Sequence, residues 1–197
     1  MNPAAILGLI GTVVGLVRAL PQLHIIIKSR KAAGVSIDST AVSSLVSMAW
    51  ALYGLLTHQP FVSLATGSSA VIFLLITLFS IKYGRSPREF RVAPIWLALL
   101  TLTALLGGIT GLGILLPLSV LACNLPQLKT AWQETDLSEL SLGTWLFSLS
   151  DGIIWTSYAL LMDDVPILAY GLLQGITSIA ILTFKLGKAR TKLPTKS

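Results

Sequence analysis

Ala19-Leu20-Pro21-Gln22-Leu23 and Asn124-Leu125-Pro126-Gln127-Leu128 are two renderings of one motif, 105 residues apart, and each lies inside a long apolar run. A proline within a helix removes a backbone N–H and crowds the carbonyl four residues earlier, so each run acquires a weak point. Working outward from these points, Leu20 to Leu56 can be laid on Leu125 to Leu161 without a gap. Ser36, Ser43, Trp50, Tyr53, Leu55 and Leu56 recur along with the motif itself. An offset held over so long a stretch marks a duplicated unit.

The solvent for that unit follows from composition. The chain is 54% hydrophobic and 11% charged, with a mean hydropathy of +0.82, beyond the range of soluble domains and suited to a bilayer. Its one cysteine, Cys123, sits in an apolar segment and offers neither an intramolecular disulfide nor a metal cluster. The net charge of +6 comes from basic residues scattered over short loops and the C-terminal end, which argues against a nucleic-acid partner. Met1-Asn2-Pro3 carries no basic side chain ahead of its apolar run, so that run reads as a retained span rather than a cleavable signal.

A membrane-crossing helix needs about 20 largely apolar residues. Seven stretches qualify or come close, at roughly 4–27, 39–57, 61–82, 92–108, 112–130, 142–161 and 165–185. The fourth has no partner in the repeat and reads as a linker. The expected fold is therefore all-α and integral to the membrane, with two parallel three-helix bundles joined by one helix (3+1+3). The expected divisions are 1–83 for the first bundle, 84–110 for the cytoplasmic loop and linker, 111–186 for the second bundle and 187–197 for a basic tail. The connections Thr57-His58-Gln59, Gly107-Gly108-Ile109-Thr110 and Met162-Asp163-Asp164 hold no Lys or Arg, whereas the opposite ends hold Lys28, Arg30, Lys31, Lys82, Arg85, Arg88, Arg91, Lys129, Lys185, Lys188, Arg190, Lys192 and Lys196. Positive-inside counting then places the N-terminus outside the cell and the C-terminus in the cytoplasm of a multi-pass plasma-membrane protein. The lipid bilayer is its first partner.

Several polar and aromatic residues stand out against this background. Pro21 frees the carbonyl of Val17 and Pro126 that of Ala122, with Gln22 and Gln127 beside the breaks as donors. One such kink can be static; two at matched positions read as hinges. Trp50 and Trp155 lie about two turns inside the outer boundary, where a flat ring either packs between helices or faces a C–H-rich solute. Tyr53 and Tyr158, nearer the surface, read equally as an interfacial belt or a gate. Arg18 and Asp151 both fall about 14 Å from the cytoplasmic end of their spans, near mid-membrane. Such groups are costly there and call for a partner. The expectation is that they pair with one another, as a permanent clasp, as a gate, or, were Arg18 turned elsewhere, with Asp151 left as a proton carrier. His24 and His58 have neither metal-site nor triad spacing, so no enzyme site emerges and no cofactor is expected.

Pro-Gln on the first helix and Trp-x-x-Tyr on the second helix of each triplet resemble the PQ-loop superfamily, and within it the SWEET and SemiSWEET sugar transporters. The resemblance implies a facilitative uniporter moving a small polar solute, most readily a sugar, by alternating access. It implies cavity tryptophans at Trp50 and Trp155, an outer gate of Tyr53, Tyr158 and Asp164, and hinge prolines at Pro21 and Pro126. The family's sugar-binding asparagine would fall at Ala65 and Gly171, neither of which can hydrogen-bond through a side chain. Thr66 and Gln174 are the nearest polar replacements, with Gly171 kept as part of the substrate-binding set; a primary amide in a bilayer seeks an external partner, which favours Gln174. Gly67, Gly171 and Gly175 suit close helix packing. Two further readings stand beside this one. They are a proton-coupled amino-acid transporter of the cystinosin-like branch, and a non-transporting receptor or assembly subunit. A homo-oligomer is left open.

Overall fold

The computed structural model describes residues 2–32, 35–134, 137 and 140–191, apart from the side chains of Arg18, Pro126 and 189–191. Among the described residues the regular structure is helical throughout: α1 Pro3–Ser29, α2 Ile37–Leu56, α3 Pro60–Lys82, a 3-10 turn Pro87–Glu89, α4 Ala93–Gln133, α5 Leu142–Met162 and α6 Val165–Thr191. Lys192 and Lys196, expected in the basic tail, lie outside the described residues.

The helix starts follow from side chains that satisfy the first backbone N–H groups. Asn2 accepts from the amide of Ala4 at 3.0 Å and is followed by Pro3, whose missing N–H costs nothing at that position. Ser36 caps α2 through Ser39 at 3.2 Å, and its repeat counterpart Ser141 caps α5 through Thr144 at 3.3 Å. The recurrence of this serine thus has a local cause in both halves.

Among the described residues five helices are long and apolar enough to cross a membrane: α1, α2, α3, α4 and α6. This departs from the seven expected stretches in two ways. The fourth and fifth fall together in α4, and α5 does not reach the required apolarity because Ser148, Ser150, Asp151, Thr156 and Ser157 dilute it. The 41 residues of α4 are not one straight rod, however. Gly108 has φ 54° and ψ −140°, a backbone region that residues with a Cβ avoid. A methyl group built on Gly111 would stand 2.9 Å from the carbonyl oxygen of Thr103. In a straight helix eight residues span about 12 Å, so the chain doubles back at the Gly107-Gly108 pair.

The chain divides into two compact units, Met1–Leu116 and Pro117–Ser197. In the first, α3 packs on both α1 and α2. Ala19, Leu23 and Ile26 of α1 meet Ile72 and Ile76 of α3 in a core flanked by Leu16, Val35, Phe73 and Phe79. Burial of such side chains gains little when the alternative is lipid, so polar links and close backbone approach matter more than they would in water. Ser44 donates to the Ala70 carbonyl at 2.9 Å, Ser63 to the Ala51 carbonyl at 3.2 Å, and Thr40 and Thr77 share a hydrogen bond of 2.8 Å. The carboxylate of Asp38, in the first turn of α2, accepts from the amides of Arg91 at 3.2 Å, Val92 at 2.9 Å and Ala93 at 2.8 Å. A side chain from α2 therefore caps the positive end of α4.

The second unit places α5 against α6. Ala131 of α4, Trp145 of α5 and Ile181 and Leu182 of α6 form its core with Leu137. The last carbonyls of α4 are capped by Lys188 of α6. Lys188 donates to Ala131 at 2.8 Å, to Trp132 at 2.9 Å and to Glu134, and Lys185 donates to Leu137. Much of the remaining surface is apolar, with Leu105 78% and Leu106 80% exposed and Ile114, Leu160, Val165 and Ile176 also open. So many exposed large aliphatics are a liability in water and a match for acyl chains.

Candidate functional site

Asp151, Trp155 and Tyr158 occupy successive turns of one face of α5, because residues three and four apart stack along a helix. The Trp155 indole N–H donates to Asp151 Oδ1 at 3.2 Å, and the Tyr170 hydroxyl, arriving from α6, donates to Asp151 Oδ2 at 2.7 Å. Both carboxylate oxygens thus act as acceptors inside the second unit. Trp155 and Tyr158 meet edge to face, with ring centroids 5.4 Å apart and planes at 76°. Trp155 is 6% exposed, Asp151 5% and Tyr158 not at all. All three are buried.

The helix pair that carries this cluster is unusually close. A methyl group built on Gly152 would stand 2.7 Å from the Gly175 nitrogen and 2.9 Å from the Gly171 oxygen. Gly152 follows Asp151 and Gly171 follows Tyr170, so the glycine contact sets the distance at which the hydroxyl reaches the carboxylate. Gly171, placed in the substrate-binding set from its position after Pro166, serves this contact and lies against Thr156.

The first unit repeats the aromatic half of the arrangement. Trp50 and Tyr53 pack edge to face with centroids 5.6 Å apart and planes at 83°, and both are buried. The position matching Asp151 is Val46, which offers no acceptor. Tyr53 and Tyr158 are both buried, 4% and 0% exposed.

With the geometry in view, the chain can be compared with known proteins. The profile of the family described as "Sugar efflux transporter for intercellular exchange" matches residues 4–88. Residues 4–88 are thus similar to that family. The solved structure of a eukaryotic SWEET transporter superposes with a TM-score of 0.72 at 17% identity, covering 95% of this chain and 99% of that one. The SWEET fold therefore extends over almost the whole chain, including the second unit that the profile does not reach. No curated protein sequence matches it.

Against the SWEET pattern, the polar residues that stood in for the missing asparagines divide. Thr66 donates to the Val62 carbonyl of its own helix at 2.6 Å, as Ser68 does to Leu64 and Ser69 to Ala65. Gln174 has the external partner its amide requires: Oε1 accepts from Asn124 Nδ2 at 3.0 Å, and the same Asn124 donates to Thr177 Oγ1 at 2.8 Å. Asn124 opens the second copy of the repeated motif, so this buried network locks α6 to the turn that carries Pro126. Asp164, expected at the outer gate, accepts from the Ile167 amide at 2.9 Å and is the N-cap of α6. Helix α1 continues through Pro21, with Pro21 and Gln22 exposed and Gln127 half-buried on α4. The side chains of Arg18 and Pro126 lie outside the described residues, and with them the expected Arg18–Asp151 pair.

Tyr170 and Asn124 were missed as site residues by sequence reasoning. A tyrosine inside an apolar helix has a hydroxyl that must find a partner, and that was a usable signal. For Asn124 the equivalent residue is Ala19, so the polar group breaks the repeat and could have been singled out as Asp151 was.

Proposed function

We propose that this protein is a sugar transporter of the cell membrane, working as a facilitative uniporter by alternating access. The observation that carries the reading is the match of residues 4–88 to a family of sugar efflux transporters. The SWEET fold over the remainder of the chain and the buried Trp–Tyr pair in each unit support it. In this reading the chain crosses the membrane as 3+1+3 helices. The N-terminus lies outside and the C-terminus in the cytoplasm, and the first segment of α4 supplies the single linker span. Trp50 and Trp155 face the solute with their rings, Tyr53 and Tyr158 buttress those rings, and Pro21 and Pro126 mark where the leading helices bend. An indole face offers the C–H surface of a pyranose a large rigid contact at little entropic cost. The transported species is a neutral polyhydroxylated ring. No chemical step is involved, and the protein is not an enzyme.

The test is transport by purified protein in liposomes, with labelled hexoses, disaccharides and amino acids offered with and without an imposed pH gradient. Sugar equilibration that needs no gradient, reduced at least tenfold in Trp155→Ala, is the expected result. Amino-acid flux without sugar flux, or flux strictly dependent on the gradient, would overturn it.

A further inference from the structure

The way the Trp155 indole is held points to a residue that the family pattern leaves without a role. In both units a tyrosine one turn on presents its edge to the indole. In the second the indole N–H is also tied to a carboxylate, and that carboxylate accepts from the hydroxyl of Tyr170 on another helix. Edge-to-face packing restrains tilt but leaves a ring free to slide; a hydrogen bond to the indole nitrogen fixes its remaining in-plane position. The carboxylate of Asp151 in turn has rotameric freedom unless its second oxygen is engaged. Tyr170 engages it, at a distance set by the Gly152–Gly171 contact immediately next to both residues.

We propose that Tyr170 is a positioning residue for sugar transport. Through Asp151 it fixes the orientation of the Trp155 indole, making the second unit's ring the preset wall against which the sugar docks. This rests on the reading that Trp155 faces the solute. Val46, standing where Asp151 does in the repeat, gives Trp50 no corresponding carboxylate on the preceding turn. A ring held in place before the solute arrives loses less freedom on binding, so its loss raises KM and leaves kcat nearly unchanged.

The experiment compares the parent with Tyr170→Phe, which removes one oxygen, and with Trp155→Phe, using hexose flux in liposomes together with the 15N–1H signal of the Trp155 indole in detergent. That signal is assigned by its disappearance in Trp155→Phe. The expected result for Tyr170→Phe is a displaced indole signal and a KM for hexose raised about threefold to thirtyfold, the range of one interhelical hydrogen bond in a membrane, with kcat within twofold. An unmoved signal overturns the proposal. So does a displaced signal with unchanged KM in a background where Trp155→Phe raises KM. If instead Trp155→Phe leaves the flux unaltered, the solute-facing reading of Trp155 itself fails. Should Tyr170→Phe not yield monodisperse protein, Asp151→Asn replaces it under the same criteria, since an amide cannot accept from both donors through two oxygens.

Discussion

Replacing Gly152 by alanine tests the closest contact in the second unit and, through it, the geometry of the Trp155 cluster. The added methyl would stand 2.7 Å from the Gly175 nitrogen and 2.9 Å from the Gly171 oxygen, both backbone atoms that cannot rotate away. Reaching even a tight 3.4 Å from that nitrogen requires α5 and α6 to part by about 0.7 Å, and overpacking of this kind costs about 1–3 kcal/mol. Alanine also gains about 1 kcal/mol of helix propensity over glycine, which would mask part of the loss. Gly175→Ala supplies the control, because a methyl built there meets nothing within 4 Å while the propensity gain is the same. The difference between the two variants isolates the strain. At about 2–4 °C per kcal/mol for a chain of this size, Gly152→Ala is expected to melt about 2–12 °C below Gly175→Ala in a detergent-solubilised thermal-shift assay. Equal melting temperatures would refute the close packing of α5 on α6.

Three further outcomes follow from contacts elsewhere. Asp38→Ala leaves the first amides of α4 uncapped and is expected to cost about 0.5–2 kcal/mol, read as faster hydrogen exchange at Arg91, Val92 and Ala93, with Asp38→Asn partly restoring protection. Asn124→Leu strands the Gln174 carbonyl in an apolar interface and is expected to lower the melting temperature by the equivalent of about 0.6–2 kcal/mol; the double variant with Gln174→Leu recovers part of that loss, and a thermal-shift cycle measures the coupling. Gly108→Ala forces a Cβ into a positive-φ conformation at a cost of about 1–3 kcal/mol, expected as a lower yield of monodisperse protein by fluorescence-detected gel filtration, whereas Gly107→Ala leaves the yield unchanged.

Helix positions were largely legible in the sequence because apolar length and cap residues are local signals. The Ser36 and Ser141 caps and the Gly107-Gly108 turn lie close to where pattern reading puts them. The Trp–Tyr pairs were legible for the same reason, their spacing of three placing both rings on one face of a helix. What escaped was non-local. Asp38 finds its partners up to 55 residues away, and Lys188 reaches back 57 residues to the Ala131 carbonyl. Nothing in the sequence near either residue announces the helix end it serves. Asp164 shows a local signal that went unread: its place before Val165-Pro166 is the pattern of an N-cap ahead of a first-turn proline. The absent asparagines turned attention to Thr66, whose hydroxyl bonds its own helix, and away from Tyr170, one residue before the expected position.

The lysine caps on α4 bear on how such a chain is made. In the proposed orientation Lys185 and Lys188 help hold their end of α6 on the cytoplasmic side during insertion, when each span enters lipid as a separate rod. Once the rods gather, the Lys188 ammonium closes the carbonyl end of α4 and that of Lys185 takes the Leu137 carbonyl just beyond it. One pair of charges thus acts at two moments of biogenesis, first as a topological signal and later as a fastener. Neutralising them would harm assembly even in molecules already threaded the right way round.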